Sequence, residues 1–325
     1  MTSRASEATG SVAGLQPPAS EPVARRREKK AAIPTGSPLT RGSKGGRIGI
    51  LIFLIIAAAL WTIPLLWTFY TSLRPNDYFA DHSFFSVGGP YNFQNYVDAW
   101  QQAQLPKFFL NSAIITIPAV ALTLILASFA AFKLSRVSWR FNVPLLILFT
   151  AGNLLPQQVL ATPLFQIAKH TPLPASISDS GSFINTYYIV IAVNVAFQLG
   201  FCTFVMSNYM KALPIELTEA AQVDGASIWK QYWKIILPLC RPALAALATL
   251  EVIFIYNDFF WALLLVQKGD RLPITSGLNN LNGQFATNYN LLSAGALMSA
   301  IPVLIVYLVL QRQFVAGLTL GANKG

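Results

Sequence analysis

Apolar side chains in this chain gather into long uninterrupted stretches, separated by polar, charged or proline-marked segments. The runs cover residues 48–70, 109–132, 141–165, 184–210, 243–266 and 291–310. Each is long enough to cross a bilayer core of about 30 Å, which takes roughly 20 helical residues. The pattern therefore predicts six helices and an all-α, polytopic membrane protein. Asn153, Pro156, Gln157, Gln158 and Pro163 interrupt the second half of the third run, where a re-entrant segment competes with a full span. Pro64, Pro118, Pro144, Pro156 and Pro302 offer bending points, although spanning helices also tolerate proline for ordinary packing reasons.

Residues 1–47 mix Ser, Gly, Pro and Ala with the basic run 25–30, and hold too little apolar surface to offset the entropy of ordering; they read as a disordered basic tail. The first run exceeds a signal-peptide core and lacks a small-residue cleavage site, so it is expected to stay as an anchor, followed by an outer loop to residue 104. Residues 105–312 form the expected core, with a cytoplasmic loop at 211–242, and 313–325 a short tail. The outer loops, about 71–108 and 267–290, are rich in Asn, Gln and Tyr and read as docking surface.

Charge sets the orientation. Of the 325 residues 54% are hydrophobic and only 11% charged, which excludes an ordinary soluble enzyme. All 23 Lys and Arg fall outside the apolar runs, so the net charge of +10 belongs to loops and tails and gives no reason to invoke nucleic acid. With the N-terminus inside, 18 of them are cytoplasmic and 5 outside, and without the tail the balance is still 9 to 5. Both termini are then cytoplasmic. Cys202 and Cys240 fit neither a disulfide scaffold nor a zinc cluster, and His82 and His170 fall in outer loops as solvated side chains, so neither a metal nor a catalytic constellation is expected.

The loop between the fourth and fifth runs holds the most specific pattern. Pro214 can open a short helix with Glu216 and Glu219 near the positive end of its dipole, and Gly225 can end it in a left-handed conformation. Ser227 can cap a second helix through Ile228, Trp229, Tyr232, Trp233, Ile235 and Ile236, until Pro238 breaks or redirects it. Ala220 and Ala221 leave room for close approach by another surface, while Trp229 and Trp233 suit the membrane interface. On composition alone an amphipathic loop that simply returns the chain to the membrane is the favoured reading.

Glu219-Ala220-Ala221, Gly225, Ile235 and Leu237-Pro238 stand at the spacing of the EAA motif, and the loop resembles that of ABC importer permeases. The stretches 91–100, 109–112, 256–262 and 313–325 are similar to corresponding stretches in carbohydrate importers, in particular the shorter maltose-type permease. The resemblance implies a type 1 importer permease fold in a bacterial cytoplasmic membrane. It also implies a heterodimer with a second permease, two ATP-binding subunits and an extracytoplasmic solute-binding protein that delivers a sugar. Glu219, Ala220, Ala221, Asp224 and Gly225 would then form the ATPase-coupling surface, with Ile235, Leu237 and Pro238 fixing the return to the fifth span. Gln313, Gly317, Leu318, Thr319 and Gly321 would lie along the ATPase interface. No G-x-x-x-x-G-K-[ST] occurs in the chain, so ATP is expected on a partner and no cofactor here.

Ionisable groups within a span are costly and call for a reason. Glu251 and Asp258, seven positions apart and hence on nearly one helix face, either face the translocation path with Asn257 or bond between helices. The resemblance, which leaves most sugar contacts to the partner permease, favours the second role. Asn153 and Gln157, one turn apart, carry the same alternatives. A secondary transporter with its own substrate and ion site, or a polytopic membrane enzyme, are the rival classes.

Overall fold

The computed structural model describes residues 44–75, 78–83, 85–101, 104–278 and 288–322; the side chains of Lys44, Ala80 and everything from Arg312 on lie outside that description. Nearly all of the predicted N-terminal tail thus falls outside the described residues. The chain divides into two compact units, Met1–Ala59 and Leu60–Gly325.

Four helices are long and apolar enough to cross a membrane, and six spans result if each of two bent pairs counts as one. The first is α1 (Lys44–Ser72), whose apolar window is nowhere buried. After it, the short α2 (Gln94–Gln101) packs on the last helix. α3 (Leu105–Arg136) carries a buried stripe of Ala119, Thr123, Ala127 and Ala131 at four-residue spacing, the small-residue face that lets spanning helices approach closely. It packs most extensively against α6 (Tyr187–Ala212). The two run parallel. Tyr187 at the start of α6 donates its hydroxyl to Asn111 Oδ1 near the start of α3, and Arg136 at the end of α3 reaches Met210 near the end of α6.

The third predicted span is α4 (Asn142–Gly152) and α5 (Ala161–His170), joined through a 3₁₀ turn at Gln157–Leu160 and bent by 90°. Pro156, which lacks the N–H an unbroken helix needs, sits at the break. Asn153 and Gln157 therefore do not share a helix turn: Asn153 ends α4 and Gln157 begins the next segment. Pro64, Pro118 and Pro302, by contrast, sit inside helices that continue through them.

The fifth span departs further from the sequence pattern. α9 (Arg241–Tyr256) stops short and forms the second bent pair with the helical stretch Ile228–Leu239 before it, and after Asn257–Phe259 the short α10 (Phe260–Leu265) follows. Asn257 Nδ2 turns back to the Ile253 carbonyl at 2.7 Å and Asp258 Oδ1 accepts from the Trp261 N–H at 3.1 Å, so both side chains serve helix ends rather than a helix face. Glu251 and Asp258 accordingly are not neighbours along one helix. α9 runs antiparallel to α6, with Cys202 opposite Glu251 and Asn194 opposite Asp258. α11 (Tyr289–Ala322) packs on α9 and stays helical well past residue 310, through most of the stretch expected as a tail.

Candidate functional site

The loop between α6 and α9 is built as a helix, a glycine turn and a second helix. α7 (Glu216–Val223) starts two residues after Pro214, so the proline precedes the helix instead of occupying its first turn. Its end is a Schellman closure: the Ala226 N–H reaches the Ala221 carbonyl at 2.8 Å and the Gly225 N–H the Gln222 carbonyl at 3.0 Å, with Gly225 at φ +72°. Buried Gln231 donates its amide to the Ala226 carbonyl at 2.9 Å and pins the turn from the other side. Ser227 Oγ caps α8 (Ile228–Gln231) by accepting from the Lys230 N–H.

One face of the elbow is left open. Glu219, Ala220, Asp224 and Gly225 are exposed, Ala221 is buried, and Leu217 and Val223 add exposed apolar surface, Val223 at 89%. Mixed acidic and apolar side chains around a tight turn suit docking into a protein cleft. Leu217 and Val223 had drawn no attention in the sequence because an apolar residue in a short amphipathic helix reads as core.

After α8 the backbone takes a π turn over Tyr232–Ile236, closed by the Leu237 N–H on the Tyr232 carbonyl. Pro238 supplies the reason, since it has no N–H and its ring crowds the carbonyl four residues back, which widens the ladder. The change of direction comes at Cys240, where the helix pair bends by 72°. Of the expected return residues, Ile235, Leu237 and Pro238 are all half-buried. Trp229 and Trp233 remain more than half exposed, yet both meet the Phe129 ring edge-on.

The intramembrane polar residues separate into two kinds. Glu251 is fully buried between α9 and α6; its Oε1 accepts from the Cys202 thiol at 3.0 Å and its Oε2 has no hydrogen-bond partner among the described residues. Asp258 is held by Asn194 at 3.1 Å and by the start of α10. Asn153, Gln157 and Asn257 are exposed. Gln157 accepts from the Trp261 indole at 2.9 Å and so ties the third-span break to the fifth-span break. Asn153 is the single polar side chain lining an apolar cavity of about 470 Å³ among α4, α5 and α6, whose wall includes Phe149, Phe197 and Gly200.

Two further polar assemblies lie outside the loop between α6 and α9. The buried Arg74 guanidinium sits 4.3–4.4 Å from the ring centres of Tyr70, Tyr78 and Tyr91, and also takes the Tyr70 hydroxyl. Asp179 pairs with Lys268 at 3.0 Å and Arg271 at 2.8 Å, and the Lys268 hydrogen bond with the two positive charges holds its carboxyl below the usual carboxylate value. His82 and His170 are exposed, Cys202 and Cys240 are free and buried, and among the described residues no three His, Cys, Asp or Glu side chains group to hold a metal. The tail residues Gln313, Gly317, Leu318, Thr319 and Gly321 lie outside the described side chains.

Residues 108–319 match the family of binding-protein-dependent transport system inner membrane components. The chain is 31% identical over 284 residues to the melibiose/raffinose/stachyose import permease protein MelC of Bacillus subtilis, covering 87% of this chain and 98% of that one. It is 30% identical over 281 residues to the arabinooligosaccharides transport system permease protein AraQ of Halalkalibacterium halodurans, covering 86% and 95%. Its fold matches a chain in the crystal structure of a bacterial ABC transporter involved in the import of the acidic polysaccharide alginate, with a TM-score of 0.68 at 23% identity, over 84% of this chain and 99% of the other. The secondary transporter and the membrane enzyme give way to this result. The chain belongs to the binding-protein-dependent inner membrane components and is a multi-pass permease subunit of an ABC importer, not itself an enzyme.

Proposed function

We propose that this permease passes an oligosaccharide inward, paired with a second permease and driven by two ATP-binding subunits, after delivery by an extracytoplasmic binding protein. The names of the relatives support a sugar: one imports melibiose, raffinose and stachyose, another arabinooligosaccharides. Both termini face the cytoplasm in this reading, as the distribution of Lys and Arg suggests. The chain binds no cofactor, and ATP is held by the partner.

The observation that carries the reading is the open elbow. Glu219, Ala220, Asp224 and Gly225 stand exposed around a closed glycine turn, so a cleft on an ATPase subunit has a rigid knob to receive. Ile235, Leu237 and Pro238 set the direction of the return helix, and residues 313–321 continue the ATPase contact. Asn153, Gln157 and Asn257 are the candidates for the translocation path. Glu251 and Asp258, each bonded to α6, act between helices. The wall around Asn153 is apolar, which suits a passage that does not grip its cargo.

Purification of the tagged chain from native membranes in mild detergent, with mass spectrometry of what stays bound, tests the reading. A second permease with the same loop motif and an ATPase with a phosphate-binding loop are expected. Glu219→Lys, which reverses the charge on the knob, is expected to lose the ATPase from the complex while retaining the second permease. Recovery of the wild-type chain alone, folded and stable, would overturn the assembly.

A further inference from the structure

The ends of the coupling loop are not free. Both are fastened to the last three turns of α3, a helix that lies outside the loop's own sequence. Where α6 ends, the Arg136 guanidinium donates to the Met210 carbonyl at 2.5 Å, the Leu213 carbonyl at 3.0 Å and the Pro214 carbonyl at 3.3 Å. They lie at and just past the end of α6, where the Met210 carbonyl is shared with the Leu213 N–H, and a cation there also favours the negative end of the dipole. Where the loop returns, Tyr232 is inserted into α3. Its ring stacks on Phe129 at 4.7 Å and meets Phe132 edge-on at 5.3 Å, and its hydroxyl shares a 2.7 Å hydrogen bond with Ser128 Oγ. Tyr232 and Ser128 are both 2% exposed.

The knob therefore projects between two anchors set about two turns apart on one helix. Tyr232 also opens the π turn over Tyr232–Ile236, so the anchored residue stands where the backbone ladder widens. A push on α7 then has a rigid route into α3 through Arg136 and Tyr232, whereas its route into α9 passes through a π turn and a 72° bend. Removing Ser128 leaves the buried Tyr232 hydroxyl without its partner, at a cost that loosens this contact.

We propose that α3 is the receiver of the coupling stroke, and that Arg136, Tyr232 and Ser128 are the positioning residues that make the loop and the inner half of α3 move as one body. This rests on the coupling role given above to the exposed elbow, and it adds the member of the bundle to which the elbow delivers its motion.

The test uses the complete copurified complex in proteoliposomes, with ATP hydrolysis and uptake of labelled raffinose or melibiose measured together. The readout is sugar moved per ATP hydrolysed, which a purely structural defect would leave unchanged while lowering the amount of complex. Tyr232→Phe, which keeps the ring and removes only the hydroxyl, and Ser128→Ala are each expected to lower that ratio about 3- to 10-fold with hydrolysis retained. The double variant is expected to be no worse than either alone, since both remove the same bond. Arg136→Gln, with fewer donors for three carbonyls, is expected to lower the ratio as well. A wild-type ratio in Tyr232→Phe and Ser128→Ala, alongside an uncoupled Gly225→Val, would overturn the assignment of α3 as receiver and leave the elbow standing. A wild-type ratio in Gly225→Val too would remove the coupling role of the elbow itself.

Discussion

Gly225 illustrates how a single backbone conformation can carry a function. At φ +72° it lies in the left-handed region, and nothing lies within 4 Å of where a Cβ would be. The cost of a side chain there is conformational rather than steric, on the order of 1–2 kcal/mol for an L-residue and larger for a β-branched one. Gly225→Val is therefore expected to open the Schellman closure and lower uptake several-fold, while Gly225→Asn, which tolerates the left-handed region, retains most of it; uptake assays on both variants check the pair. Glu251 is the opposite case, a buried carboxyl with one thiol donor and one oxygen without a partner among the described residues. A charge in such a site is a net cost, so Glu251→Gln is expected to leave the thermal midpoint of the detergent-solubilised complex unchanged or raised, with unaltered uptake KM. An increase in KM would put Glu251 on the path instead.

Among the elements, the two breaks decide how the bundle is assembled. Asp258 caps α10 and takes a bond from Asn194 on α6, so Asp258→Ala removes a cap worth about 1 kcal/mol and one of the two bonds of the buried Asn194 amide, which keeps the Val190 carbonyl. The expected result is a clear fall in thermal midpoint, with Asp258→Asn between it and the wild type. The break of the third run was legible in the sequence through Pro156 and its polar neighbours, and the break after α9 marks the limit of what was. Hydropathy located the four helices long enough to cross and the apolar runs that fall on bent pairs, because transfer from water to hydrocarbon depends on composition over some 20 residues. It passed over Asn257 and Asp258, two polar residues in an otherwise apolar run, since a window average does not register side chains that compete for backbone groups. The loop motif was readable for a related reason: glycine, proline and a capping serine each constrain dihedrals at a fixed position. Arg136 and Tyr232 were not, because one reads as an ordinary cation at a helix end and the other as an interfacial aromatic, and only the packing of α3 against the loop gives them partners.

At the scale of the whole molecule, the connecting segments around residues 179–185 and 267–272 are tied across long stretches of chain. Asn111 Nδ2 donates to the carbonyls of Asp270 and Leu272, Asn185 Oδ1 accepts from the N–H groups of Gln267 and Lys268, and Asp179 holds Lys268 and Arg271. The Asp179 carboxyl is held below its ordinary value, so its contribution is present above that value and disappears as pH falls through the lower, folded-state one. Asp179→Asn is expected to lower the thermal midpoint at pH 7, and the difference from wild type is expected to shrink on acidification below about pH 4. A difference that persists unchanged in acid would mean that Asp179 acts through shape and not charge.

The clasp at Arg74 bears on the order in which the protein is made. Its carbonyl accepts from Asn95 at 2.6 Å and from Asn290 at 3.1 Å, and Asn290 also takes the Pro75 carbonyl at 2.7 Å. The segment after α1 is thus held also by a residue synthesised 216 positions later. At ribosomal speeds of about 5–20 residues per second, that segment waits on the order of ten seconds or more for its last fastening. During biogenesis the turn at Arg74 is held first by Asn95 and by the tyrosines around its guanidinium and is completed only when the final helix arrives, so a nascent chain halted before Asn290 is expected to be cleaved at that turn by added protease more readily than the full chain.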